Sequence, residues 1–163
     1  MYPKRFYRQQ PRQGLVRWIV IHSTNCRYPF PKLKFIDDKF QTNQILFGAS
    51  LDGEDDSIFH VVIDKVKDDY YPIFLKPLHY TYTGFNIKNT QINNGLHICI
   101  IGDLNQVKPD TRLYDVLAYR VLSPLMYIFR IPRRNVLLHR HDCPGKLFDL
   151  QYLMSLLKKY QVF

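Results

Sequence analysis

Short runs of large apolar residues, each closed by a polar or turn-forming residue, recur along this chain. Residues 17–22 contain Trp18-Ile19-Val20-Ile21 before His22; residues 58–64 read Ile-Phe-His-Val-Val-Ile-Asp; residues 96–101 read Leu-His-Ile-Cys-Ile-Ile before Gly102; residues 135–139 carry Val136-Leu137-Leu138 before His139. Runs this short and this continuous fit strands covered on both faces. Residues 70–82 are rich in aromatics, but Pro72 and Pro77 forbid a long central strand there, so short strands or irregular chain are expected. Helical spacing appears over residues 34–47 (Phe35, Ile36, Phe40, Phe47). It returns over residues 111–129 (Leu113, Val116, Leu117, Val121), with Asp110 or Thr111 as the cap and a kink expected at Pro124. A last helix is expected over residues 150–160, capped by Asp149, with Leu153, Leu156 and Leu157 facing the core. Strands and helices alternate, which predicts an α/β single domain with a mixed central β-sheet flanked by helices.

Composition narrows this. A chain of 163 residues with 46% hydrophobic content supports one real core but not two. Residues 1–14 are basic, Gln-rich and carry two prolines, so they read as an N-terminal arm, with the domain spanning 15–163. No apolar run approaches the ~20 residues that cross a bilayer. The arm also lacks the apolar stretch and cleavage site of a secretory signal. A protein made soluble in a cytoplasm is expected, reaching any outside target by another route such as host lysis. The charge of +9 suits a polyanion, whether nucleic acid, an anionic membrane face or a carboxylate-rich bacterial wall, and equally a solubilising surface. It is spread along the chain, and no basic-aromatic motif specifies nucleic acid. Three cysteines, Cys26, Cys99 and Cys143, are too few and odd in number for a disulfide framework.

The chemistry concentrates at two strand ends. His139, His141 and Cys143 follow one apolar run and precede Pro144-Gly145, and His22 closes another. Imidazole and thiolate are the ligands zinc favours, and a strand end gives them a rigid base. Taken singly, each has a plainer reading. A strand-end histidine usually makes ordinary hydrogen bonds, and Cys143 could be an inert buried thiol. A His-x-His pair can chelate, so His141 is an alternative to His139 as a ligand. Cys99 reads as core and Cys26 as a bystander; His60, His79 and His97 read as structural or groove-lining.

Four ordered blocks carry a resemblance: Ile-Val-Ile-His-Ser-Thr, Phe-His-Val-Val-Ile-Asp, Asn93-Asn94-Gly-Leu-His-Ile-Cys-Ile-Ile-Gly102, and His139 with Asp142-Cys-Pro-Gly145. Together, over about residues 18–148, they resemble the zinc-dependent N-acetylmuramoyl-L-alanine amidases, which include phage endolysins and the peptidoglycan recognition proteins (PGRPs). The likeness looks closest to the small phage endolysins. It implies an amidase/PGRP-like fold, with Zn2+ held by His22, His139 and Cys143 and a fourth position open to water. It further implies hydrolysis of the amide joining N-acetylmuramic acid to L-alanine, with peptidoglycan as the partner. Where the phage enzymes carry a Lys two residues before the Cys, this chain has His141, a candidate oxyanion donor or general acid. Where related sequences carry a Tyr before the second-strand His, this chain has Phe59, and Glu54, its only glutamate, is the one able to substitute. Family members carry a groove histidine near His79; Tyr80, Tyr82 and Phe85 could stack on sugar faces, and Asn94 completes the candidate substrate contacts. Two other readings stand beside the enzyme. One is an amidase-fold module that holds cell wall without cleaving it, favoured by the missing hydroxyl at Phe59. The other is a virion or polymerase-complex component docking through the basic surface and the arm.

Overall fold

The apolar runs form a five-stranded sheet in a computed structural model of the chain, which describes residues 14–24, 59–74, 78–79, 92, 94–140 and 143–160. The expected arm, the helix over 34–47 and the loop carrying Glu54 lie outside the described residues. The strands are β1 (Ile19–Ser23), β2 (Val61–Val66), β3 (Asp69–Phe74), β4 (Leu96–Ile100) and β5 (Val136–Leu138), in the order β3-β2-β4-β1-β5. β1 pairs in parallel with β4 and β5, β2 pairs in parallel with β4, and β3 is antiparallel to β2. The sheet is therefore mixed, as expected. All residues of β1 and β4 are buried, which is why their sequences show no polar alternation.

β2 and β3 form a hairpin that the sequence reading did not join. Lys67 turns it with φ of 57°, a left-handed conformation that no glycine or asparagine announces at that position. Pro72, which removes a ladder donor, is tolerated because β3 lies at the sheet edge.

Register sorts the strand residues onto two faces, since laterally paired residues share a face and successive residues alternate. One face carries Ile19 and Ile21 of β1, Leu96, Ile98 and Ile100 of β4, Val61 and Ile63 of β2, and Val136 of β5. All of these belong to the main core, together with Leu113, Leu117, Val121, Leu122, Leu125, Met126, Leu153 and Leu157 from the helices. Each such side chain, taken fully out of water, contributes about 1.5–3 kcal/mol. The opposite face carries Val20 and His22 of β1, His97 and Cys99 of β4 and Val62 of β2. The same alternation adds His60 just before β2 and His139 just after β5.

The helical segment between β4 and β5 runs from α1 (Thr111–Asp115) through a π-helical stretch (Val116–Leu122) into α2 (Ser123–Phe129). Asp110 is the N-cap, its Oδ1 accepting from the Leu113 N–H at 2.9 Å. Pro124 lies two residues beyond the stretch, and the Ser123 N–H bonds the Ala118 carbonyl five residues back. Proline lacks the N–H that a regular helix requires and its ring crowds the preceding turn. The expected distortion thus takes the form of a widened segment before the proline, a recognised way of inserting such an irregularity. Arg130, with φ of 54°, ends α2. The last helix, α3, spans Leu150–Tyr160, and Asp149 Oδ1 accepts from the Tyr152 N–H at 2.8 Å. Leu153 and Leu157 are buried and Leu156 packs against the core edge.

Candidate metal centre

His22 reaches the sheet's second face because β1 alternates Ile19, Ile21 inward to the main core and Val20, His22 to the other side. Its side chain is 1% exposed. β5 lies beside β1, and the His139 N–H continues the pairing by donating to the Ile21 carbonyl at 3.0 Å. The His22 and His139 rings consequently lie 4.5 Å apart between centroids. Cys143 is brought back by a tight reversal in which Arg140 and Cys143 exchange backbone hydrogen bonds, Arg140 N to Cys143 O at 3.3 Å and Cys143 N to Arg140 O at 3.2 Å.

The loop after Cys143 is docked firmly. Ser23 Oγ donates to the Pro144 carbonyl, tying it to the end of β1. The Leu147 N–H donates to the Leu104 carbonyl at 3.0 Å, and the Lys146 N–H donates to Asn105 Oδ1 at 3.0 Å. Gly145, at φ of 136°, lies against Leu104 so closely that a Cβ would come within 2.6 Å of its carbonyl carbon. Thr24 Oγ1 and Gly102 bond reciprocally at 3.1 and 3.2 Å, fixing the ends of β1 and β4 to each other.

The outcome is that one potential ligand atom from each of His22, His139 and Cys143 lies within 4.8 Å of the others. Tetrahedral zinc with bonds of 2.0–2.3 Å needs separations of roughly 3.3–3.6 Å. The 4.8 Å ceiling on their separations exceeds that need by little more than about an ångström. Their chemistry fits as well: desolvation, and then the proximity of His139, Arg140 and His60, holds the His22 pKa well below 6.5, so the ring is neutral, as ligation requires.

Cys143 introduces a correction. Its sulfur is disulfide-bonded here, whereas Cys99 is a buried free thiol. Few and odd-numbered cysteines argue against a disulfide framework, but they do not forbid a single bridge. A disulfide sulfur is not a thiolate, so the positions fit zinc, but the sulfur fits only when reduced.

Of the remaining expected residues, Phe59 is buried and sets its ring edge-on to His22, with centroids 5.1 Å apart. The position expected to bear a hydroxyl is thus beside the site and bears none. Asn94 Nδ2 donates to the Leu15 carbonyl at 3.5 Å, a contact between segments. His79 is exposed. His141, Glu54, Tyr80, Tyr82 and Phe85 lie outside the described residues.

Two histidines gain importance over their sequence reading. His97 is fully buried, and its Nδ1 lies 2.8 Å from Nε2 of His22. His60, also fully buried, accepts the His97 backbone N–H on its Nδ1 at 2.9 Å. Strand alternation gives each of them a face, but only the β1–β4 register, which pairs Val20 with His97, puts His97 on the face of His22.

No protein-family model and no curated protein matches the sequence. Solved structures do. A variant of PlyL superposes with a TM-score of 0.62 at 18% identity, covering 96% of this chain and 94% of its own. The PGRP-Hd of Alvinella pompejana gives 0.59 at 16% identity, with 96% and 90% covered. The N-acetylmuramoyl-L-alanine amidase LysC of Clostridium intestinale URNW gives 0.58 at 18% identity, with 91% and 93% covered. The mixed sheet, its flanking helices and this near-complete overlap show that the chain has the amidase/PGRP-like fold.

Proposed function

We propose that this protein is a zinc-dependent peptidoglycan amidase of endolysin type, cleaving the amide between N-acetylmuramic acid and L-alanine. The observation that carries the reading is the convergence of His22, His139 and Cys143 within 4.8 Å, in a fold shared with an N-acetylmuramoyl-L-alanine amidase. When bound by two neutral imidazoles and a thiolate, zinc supplies Lewis acidity toward a carbonyl and a water acidified toward neutral pH.

The chain's own residues have separate tasks. β1 and the end of β5 hold the two imidazoles side by side, and the docked Pro144-Gly145 loop keeps Cys143 close to them. His141, two residues before Cys143, is assigned the donor role toward the developing oxyanion or the leaving amine. Glu54 is the carboxylate candidate for the task that Phe59 cannot perform. His79, Tyr80, Tyr82, Phe85 and Asn94 are assigned to the glycan and stem peptide. The basic net charge favours approach to an anionic wall.

The test is direct. Reduced, zinc-loaded protein incubated with purified peptidoglycan should release peptides with a free N-terminal L-alanine, and a chelator should stop release. No release from protein shown to contain zinc would count against the reading.

One observation supports a second reading, a wall-binding module without turnover: Phe59 stands against His22 with no hydroxyl. Peptidoglycan binding that persists in His141→Ala, with no products from either protein, would select it.

A further inference from the structure

The second face of the sheet holds more imidazole than a three-ligand site uses. His97 is held at three points. Its backbone N–H donates to His60 Nδ1 at 2.9 Å, its carbonyl accepts the His60 N–H at 2.9 Å, and its ring Nε2 lies 2.9 Å from the Ile92 carbonyl. Its remaining ring nitrogen, Nδ1, meets His22 Nε2 at 2.8 Å. The Ile92 carbonyl is itself fixed, accepting also from the Gly95 N–H at 2.8 Å. Gly95 allows this approach because a Cβ there would fall 2.9 Å from the same oxygen.

These contacts determine where the protons sit. A carbonyl oxygen only accepts, so His97 Nε2 carries a hydrogen. A second hydrogen on Nδ1 would make His97 a cation in a fully buried position, which is costly. His97 Nδ1 is therefore the acceptor, and His22 Nε2 must be the donor. The neutral His22 ring then carries its lone pair on Nδ1.

We propose that His97 is a positioning residue that locks His22 in the Nε2–H tautomer, so that His22 offers Nδ1, and not Nε2, to a metal at the His139–Cys143 cluster. The ordered relay is Ile92 carbonyl, His97, His22, metal. Partners that orient a ligand imidazole in this way typically change metal affinity by about 10–100-fold. The consequence for affinity rests on the metal-centre reading above; the tautomer assignment does not.

The experiment therefore has two arms. In the first, long-range 1H–15N spectra of the zinc-free wild-type protein report the protonation of each ring nitrogen of His22 and His97. The expected result is a protonated Nε2 and a lone-pair Nδ1 on both rings; a protonated Nδ1 on His22 overturns the proposal. In the second, zinc affinity is measured by chelator competition under reducing conditions for wild type, His97→Phe and His97→Gln. His97→Phe keeps an aromatic ring but removes the acceptor, and should weaken zinc by about 10–100-fold. His97→Gln supplies an acceptor oxygen and should recover part of that loss. Equal affinity in wild type and His97→Phe overturns the proposal. If the wild type binds no zinc, the metal-centre reading fails and the positioning role toward the metal fails with it. The spectra would still decide the tautomer, so the two failures are told apart. Should His97→Phe not fold, the wild-type spectra alone remain decisive.

Discussion

Gly145 shows how much of the site depends on single residues. Its φ of 136° suits glycine, and any Cβ would strike the Leu104 backbone. Gly145→Ala should destabilise the protein by about 1–3 kcal/mol and loosen the Cys143 loop; denaturant melts and zinc titration of the same sample would check both effects. The buried imidazoles set a pH dependence. Burial, followed by repulsion from neighbouring imidazoles, holds His22 and His97 below their ordinary pKa of 6.5 in the folded state. Below about pH 6.5 the unfolded chain takes up protons that the folded chain refuses. Stability of the zinc-free protein should therefore be fully present above that pH and fall as the pH drops below it. Thermal melts between pH 8 and pH 5 would show this, and His97→Phe should flatten the slope. The candidate ligands His22, His139 and Cys143 were legible because the two histidines close apolar runs and the cysteine stands just before a Pro-Gly turn signal. His97 was not, because its role comes from lateral register with β1, which spacing along the chain does not encode.

Among the elements, local chemistry was the more readable part. Both helix caps, Asp110 and Asp149, stand where a short acceptor side chain precedes an apolar helical pattern. Asp110 also accepts from the Tyr70 hydroxyl at 3.1 Å, linking the cap to β3. Asp110→Ala should lose about 1 kcal/mol or somewhat more, seen as a lower denaturant midpoint with unchanged slope. The β2–β3 hairpin was hidden because Lys67 occupies a left-handed position without a side chain suited to it. Lys67→Gly should consequently be neutral or stabilise by up to about 1 kcal/mol, whereas Lys67→Val should destabilise; matched thermal melts separate the two. At Pro124 the proline predicts an irregularity but not its form. A kink and a widened turn both accommodate the hydrogen bond that proline cannot make, and the residue type alone does not choose between them.

At the level of the whole molecule, the sheet divides two labours between its faces. One face builds the core with the helices, and the other gathers His22, His60, His97 and Cys99 where β1, β4 and the approach to β2 lie side by side. That division was partly legible, since alternation gives faces, but strand order depends on crossovers that no local pattern reveals. The disulfide at Cys143 adds a condition to the proposed zinc site: with the sulfur oxidised, two imidazoles remain and the third donor is lost. Zinc affinity should rise when reductant is added, and protein kept oxidised should hold the metal more weakly. A metal bound only by the folded chain also adds stability, about 2.7 kcal/mol at a free concentration 100 times Kd, and chelation should reverse that gain.

The central claim is that two segments far apart in sequence supply one zinc site. Its most direct test is zinc content per chain, measured under reducing conditions for wild type, His22→Ala and Cys143→Ala. The account predicts one zinc in the wild type and loss of stoichiometric zinc in each variant. Wild-type protein without zinc, or either variant still holding a full equivalent, would contradict it.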